Sequence, residues 1–567
     1  MAGGDGMSST TRRRVLGVVA GGAAALALAW LVLLLPEAEP VLPPPPRGAE
    51  VHPFEWGAEA EWERLEARYA RARAAGCEAL APELTAGLGA LDEDLASLRR
   101  EARPPGDPLF LEVERHVFEV AAGVAACPGL LPATMAAVAR LRDAVKRQSE
   151  RWPPSARATR ETLYRVLYGS RAAVEEVMLQ LQPGVTPPAL TPGVDEPSAT
   201  PSVRVAGVTV HSGDILVSRG GAATSALIAV GNDFPGNFSH VALVHVDEET
   251  RRATVVEAHL ERGVTLTSPE AYLQDRKLRV MVLRPRADLP ALLERPLLPH
   301  RAASAALARA RAAHVPYDFA MDAADPSSQF CSEVAADAYR REGVSLWPAR
   351  SQLSSAGLRR WLAGFGVRHF ETLEPSDLEY DPQLRVVAEW RDPETLRKDH
   401  LDAAATRAML EAADAGAPLR YDRTLLPLAR LAKAYSWALN AFGAVGPVPE
   451  GMSATAALRS RWYEALHARL RARLEARAAE DRADRGHPPP TWRLDRLARE
   501  ELRALGELAP VRSGMDRSAG RRERSLVRGQ KRGKWTAPSD RGRTVPPRRR
   551  LRRGSPDEPR ARDRLRR

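Results

Sequence analysis

The sequence predicts an α+β fold for residues 205–392, flanked on both sides by helical regions. Two features carry that reading. Short apolar runs divided by Gly, Asn, Pro and acidic turns cluster between residues 205 and 285, and helix-period patterns follow them. Strands followed by helices in about 190 residues describe an α+β domain rather than alternating βαβ units. Aromatic residues make up only 5% of the 567-residue chain, while Arg and Ala are abundant, so the remainder reads as helical.

The N-terminal element, residues 1–36, reads as a cytoplasmic stub and transmembrane anchor. Arg12, Arg13 and Arg14 precede an uncharged run from Val15 to Leu35, which Pro36 and Glu37 end. Such a run spans about 30 Å at 1.5 Å per residue, one hydrocarbon thickness. The arginines favour the cytoplasmic side. The expected location is therefore the inner (cytoplasmic) membrane, single-pass, with everything after Pro36 outside the cytoplasm. A cleaved signal peptide fits less well, because the run is long and lacks a small-x-small ending.

Residues 37–58 form a Pro-rich, extended spacer. From 59 to 182 the pattern is that of a helical bundle: Leu84, Leu88, Leu91, Leu95 and Leu98 step by 4, 3, 4 and 3, and Leu163, Leu167, Ser170, Val174, Val177 and Leu181 repeat the stripe. Breaks fall at Pro104-Pro105, Pro128 and Pro153-Pro154. Cys77 and Cys127 lie in this region, and two readings stand: a disulfide in an oxidising compartment, or two buried thiols. Residues 183–204, rich in Pro, Thr and Ser, read as a linker.

Within 205–392 the expected strands are Asp214–Val217, His240–Val246, Ala253–Glu257, Gly263–Leu266, Arg279–Leu283 and Leu384–Trp390, with helices at His300–Ala313 and Cys331–Arg341. Residues 393–508 are helical and charged; Arg430 and Lys433 argue against a second span near Leu425–Phe442. The tail, 509–567, reads as disordered and basic. Residues 511–567 hold 21 Lys/Arg against 6 Asp/Glu, a balance of +15 that leaves −4 for the rest of a chain whose net charge is +11. The basicity is a property of the tail, which suits contact with an anionic polymer or lipid headgroups and predicts no specific nucleic-acid partner.

Cys331 has no partner for a disulfide and opens a helix, where unpaired N–H groups and the helix dipole favour a thiolate. A thiolate nucleophile needs a base, and the base needs an orienting group. His240 starts a strand after a turn-rich loop. Glu257 and His259, two apart, share one face of the neighbouring strand, so either can take the second imidazole proton. Glu257 is preferred, because an acid after two β-branched apolar residues is costly unless paired.

The motifs Gly213-Asp214-Ile215-Leu216, Phe238-Ser239-His240-Val241-Ala242-Leu243-Val244, Val256-Glu257-Ala258, Tyr317-Asp318 and Phe330-Cys331-Ser332-Glu333-Val334, in this order, resemble the YiiX/YebB-like group. These are permuted NlpC/P60 papain-like cysteine amidases, in which the His-bearing strand precedes the Cys-bearing helix. The resemblance implies a circularly permuted papain-like domain, with Cys331 as nucleophile, His240 as base, Glu257 as the third member, and Tyr317 and Asp318 lining the substrate site. The implied chemistry is acyl transfer without metal or cofactor, on a peptide, acyl-amide or lipid substrate, with cell-wall peptides as one candidate. Three rivals remain: a lipid-directed acyltransferase or esterase on the same core, an inert envelope scaffold, and a zinc hydrolase. The last is weak: His259-Leu260-Glu261 lacks a Pro-Cys-x-x-Cys partner, and no His-Glu-x-x-His occurs.

Overall fold

The computed structural model describes residues 9–38, 41–43, 53–56, 59–182 and 184–508. The 509–567 tail and most of the 37–58 spacer lie outside the described residues.

Eleven strands are described: β1 (Leu190–Pro192), β2 (Ser202–Val205), β3 (Val208–His211), β4 (Ile215–Gly220), β5 (His240–Val246), β6 (Ala253–His259), β7 (Gly263–Thr267), β8 (Lys277–Pro285), β9 (Ser351–Gln352), β10 (Glu371–Thr372) and β11 (Leu384–Arg391). Seven form one antiparallel sheet in the order β1-β11-β8-β4-β5-β6-β7. Side-chain alternation sorts the central strands onto two faces. Ile215, Val217, Val241, Leu243, Met281 and Leu283 enter one apolar cluster. Leu216, Ala242, Val244, Val280 and Val282 enter another. Both faces are covered, which is why these strands read as nearly continuous apolar runs.

The first of these clusters also takes in the helices of residues 59–180. The helical stretch read as a separate bundle therefore shares its core with the sheet. Its stripes behave as expected: Leu84, Leu91, Leu95, Leu98, Leu163, Leu167, Val174 and Val177 are all buried. The linker reading of 183–204 needs correction, because β1 pairs with β11 and β2 pairs with β3. The end of the spacer docks as well: the Phe54 N–H donates to the Asp233 carbonyl at 2.7 Å, and Trp56 Nε1 donates to Glu114 at 3.0 Å. Helices within 356–505 build a further core around Leu401, Met409, Tyr463, Leu470 and Leu497. The described residues belong to one compact unit.

What joins the helical regions to the sheet is ionic as well as apolar. Arg279 on β8 is fully buried; it clasps Glu175 of the helix Gly169–Gln180 at 2.5 and 3.0 Å, and pairs with Asp399 of the helix Pro393–Asp414 at 2.8 Å. Glu175 also meets Arg391 at 3.1 Å, and Arg171 clasps Glu379 at 2.9 and 2.6 Å. A charge buried this deeply is tolerated only when paired.

Cys77 and Cys127 form a disulfide with Cα atoms 4.7 Å apart, closing 50 residues of the helical region. Cys331 is the one free cysteine. Among the described residues one helix is long and apolar enough to cross a membrane: Leu16–Leu33, within the helix Ser9–Leu33, is not buried against the rest of the chain. That length and composition fit an anchor or a signal sequence.

Replacing Arg279 by Leu leaves Glu175 and Asp399 without their shared cation. The expected cost is about 3–5 kcal/mol, read as a lowered thermal midpoint of the full chain. An unchanged midpoint would show that the pairing does not hold the layers together.

Candidate active site

The His-bearing strand is fixed by its neighbours. Gly213, at φ +97°, makes the turn into β4, and Pro299 packs so close that a Cβ there would sit 2.3 Å from it. Asp214, beside it, accepts two hydrogen bonds from Arg284 at 2.8 Å each and one from the His211 N–H at 2.8 Å. The Gly-Asp motif is thus a structural corner. It aligns β4, whose Ser218 pairs with His240 at the start of β5.

On the other side of β5, Ala242 pairs with Glu257 of β6. That register brings His240 and His259 alongside each other, ring centroids 5.7 Å apart, with Glu257 on the same face. Glu257 Oε2 lies 2.6 Å from His240 Nε2, and its Oε1 lies 3.2 Å from His259 Nε2. Tyr272, buried, lays its ring 6.3 Å from that of His240 and donates its hydroxyl to Ser218 at 2.8 Å.

Cys331 begins the helix Cys331–Arg341. The start is closed by a capping bond: the Phe330 N–H donates to Glu333 Oε2 at 3.0 Å. The thiol donates to the Ser239 carbonyl at 3.8 Å, so the sulfur rests against the backbone just before His240. Tyr317 and Asp318 line the same cavity as Cys331. Asp318 uses its carboxylate on its own loop, accepting from the N–H groups of Ala320 and Asp322 at 2.8 and 2.5 Å.

Electrostatics separates these groups. Burial would raise the Glu257 carboxyl, but the hydrogen bonds from His240 and His259 hold it far below the usual carboxylate range. Burial lowers His240, against the pull of Glu257. Burial also pushes the Cys331 thiol up to about 11, despite hydrogen bonds from Val241 and Ser332. The helix start was expected to favour a thiolate. It does not, because the sulfur is only 3% exposed and desolvation outweighs the dipole. Burial thus favours the protonated thiol at Cys331 and the neutral imidazole at His240.

Glu374 was missed from the sequence. It lines the cavity, is 4% exposed, and burial together with nearby Asp377 raises its carboxyl well above its ordinary value, against the pull of Arg160. Its place comes from a loop forty residues after Cys331, with no pattern in the sequence to mark it. His240, Glu257 and His259 also bring three ligand atoms within 4.8 Å of one another, a set able to hold a metal ion. A metal there would occupy the nitrogens that now carry the hydrogen bonds to Glu257, so the two uses exclude each other.

Residues 209–388 match the family described as permuted papain-like amidase enzyme, YaeF/YiiX, C92 family. The likeness to permuted papain-like amidases is confined to that segment. The match covers about a third of the chain, and the order seen here, His strand before Cys helix, is the permuted one. Among solved structures, the crystal structure of the metalloprotein yiiX from Escherichia coli O157:H7 is 20% identical, with 32% of this chain and 97% of that chain covered and a TM-score of 0.26. No curated protein matches the chain.

These two shifts set the pH profile. With His240 below its ordinary value near 6.5, kcat/KM should climb as pH rises through a point under 6.5, where the base becomes free. With the thiol at about 11, the profile should then stay level through pH 9. A bell falling near pH 8 would indicate a thiolate–imidazolium pair instead.

Proposed function

We propose that this chain is a membrane-anchored cysteine hydrolase that cleaves an amide or ester through a thioester on Cys331. The observation that carries the reading is the 2.6 Å bond between Glu257 and His240, on the residue that directly follows the carbonyl contacted by the sulfur. A carboxylate at Nε2 fixes that nitrogen as the donor and leaves Nδ1 with its lone pair, free to serve as base.

In the first half-reaction, the sulfur attacks the substrate carbonyl as His240 takes the thiol proton. The carbonyl oxygen gains negative charge near the start of the helix Cys331–Arg341, where the Cys331 N–H is the available donor. Collapse expels the amine or alcohol, to which His240 returns the proton. In the second half, His240 takes a proton from water, the resulting hydroxide attacks the thioester, and the carboxylic acid leaves as the thiol is reprotonated. Glu257 stays ionised throughout and offsets the imidazolium charge. Tyr272, against the imidazole, limits its rotation.

Two facts support a location outside the cytoplasm: the apolar N-terminal helix and the Cys77–Cys127 disulfide, a bond that persists in oxidising compartments.

Cys331→Ala should abolish hydrolysis of any responsive amide or ester, and survival of activity would refute the mechanism. Glu257→Gln removes the charge that holds His240 and should lower kcat by about 10²–10⁴-fold. His259→Ala, which takes away only the second donor to Glu257, should cost less than tenfold. The reverse ranking, measured side by side, would make His259 the orienting residue. An inert scaffold would show no turnover and no sensitivity to any of the three changes.

A further inference from the structure

The cavity that holds Cys331 is large and mostly apolar. Its volume is about 670 Å³, within the range of small-molecule sites, and its walls include Phe319, Phe365, Val448 and Met452. Part of one wall is the helix Leu426–Ala441, which contributes Leu428 and Ala432. This helix does not bury its apolar side chains in the usual way. Leu431, Tyr435 and Trp437 are 55%, 59% and 76% exposed, and Phe442 just beyond is 89% exposed. An apolar and aromatic surface of this kind marks an interaction site rather than a solvated face.

What covers it is indicated by where the helix is tied. The last carbonyls of a helix have no partners within it. Those of the apolar helix Ser9–Leu33 and the turn after it are taken up by this wall: Arg430 donates to the Leu33 and Leu35 carbonyls at 2.8 Å each and to Val32 at 3.3 Å, and Arg423 donates to Leu34 at 3.1 Å. The cavity wall is therefore fastened to the point where the hydrophobic span ends. With that span in a bilayer, Arg423 and Arg430 stand at the membrane surface, and the exposed aromatic side chains that follow on the same helix are of the kind that membrane interfaces favour.

We propose that the substrate is a membrane lipid whose hydrocarbon chain enters the cavity past Leu428 and Ala432 and brings its amide or ester carbonyl to Cys331. The proposal rests on the catalytic reading above and names the substrate class for it. A wall peptide suits the site poorly, because its amides would leave water for walls that offer few partners.

Alkylation of the one free thiol tests this without waiting for turnover. The full chain in lipid nanodiscs is treated with N-ethyl iodoacetamide, N-octyl iodoacetamide or iodoacetyl-dialanine, and modification of Cys331 is followed by mass spectrometry. The octyl probe should react at least about tenfold faster than the ethyl probe. In Leu428→Asp, at a half-exposed position that tolerates substitution, the octyl-to-ethyl ratio should drop toward one, and Ala432→Trp, which fills the channel, should do the same. Because the ratio is taken within each variant, a general loss of reactivity cancels. Equal ethyl and octyl rates, a ratio that survives both substitutions, or fastest reaction with iodoacetyl-dialanine would overturn the lipid proposal and leave the catalytic reading standing. A Cys331 inert to all three probes would overturn both.

Discussion

A carboxylate that is 3% exposed keeps its charge only if its surroundings replace the water it has lost, and Glu257 meets that condition through two imidazoles. The consequences run outward. Because Oε2 accepts from His240, the ring is held with Nε2 protonated and Nδ1 bare. Because β5 and β6 pair in a register that sets Ala242 against Glu257, the ring cannot slide along the strand without losing that bond. Because the sulfur leans on the backbone beside the same residue, the helix that carries Cys331 is positioned by the strand that carries the base. The order of the two elements along the chain does not enter into this geometry, which is why a permuted sequence can build it.

The sheet that sets this register is itself held by charge. Arg279 sits on β8, one strand removed from β5, and reaches carboxylates on helices from both ends of the chain. The regions before and after the catalytic segment therefore do more than space it from the membrane. The N-terminal helices close one face of the sheet, and the C-terminal region supplies cavity walls such as Val448 and Met452, on the loop between the helices Leu426–Ala441 and Ala454–Arg485 and outside the matched segment. The matched segment thus provides most of the cavity lining, and the longer chain adds the rest.

Much of the framework was legible in the sequence because it depends on local pattern. His240–Val246 and Cys331–Arg341 appear with the bounds expected, and the leucine stripes of 59–182 are buried. What depends on distant segments was not. The Pro and Thr content of 183–204 suggested a linker, yet Leu190–Pro192 finds an edge at β11, a strand two hundred residues away. The thiol was misjudged for a related reason: a helix start is visible in sequence, but the burial that outweighs it comes from the strand and loops packed over it. The pairing of Cys77 and Cys127 stood open for want of the kink at Gly76, φ +75°, that interrupts the first long helix beside Cys77. Glu257 and His259 were equal by spacing, and only coordinates put the carboxylate between the two rings.

A protonated thiol is the less reactive state of a cysteine, and the burial of Cys331 accounts for it. An ion pair waiting in such a place would incur desolvation at rest, before any substrate arrives. Here the charge of Glu257 beside the imidazole is already compensated by hydrogen bonds. Charge on sulfur, imidazole and carbonyl oxygen arises together as the proton moves, and a low-dielectric surrounding then strengthens the attraction of Glu257 for the imidazolium and of the helix N–H for the oxyanion. The same walls that raise the thiol's pKa exclude water from the thioester until the leaving group departs. Slow attack by the free thiol and protection of the acyl-enzyme are thus two results of one cause, the burial of Cys331 at the inner end of an apolar pocket.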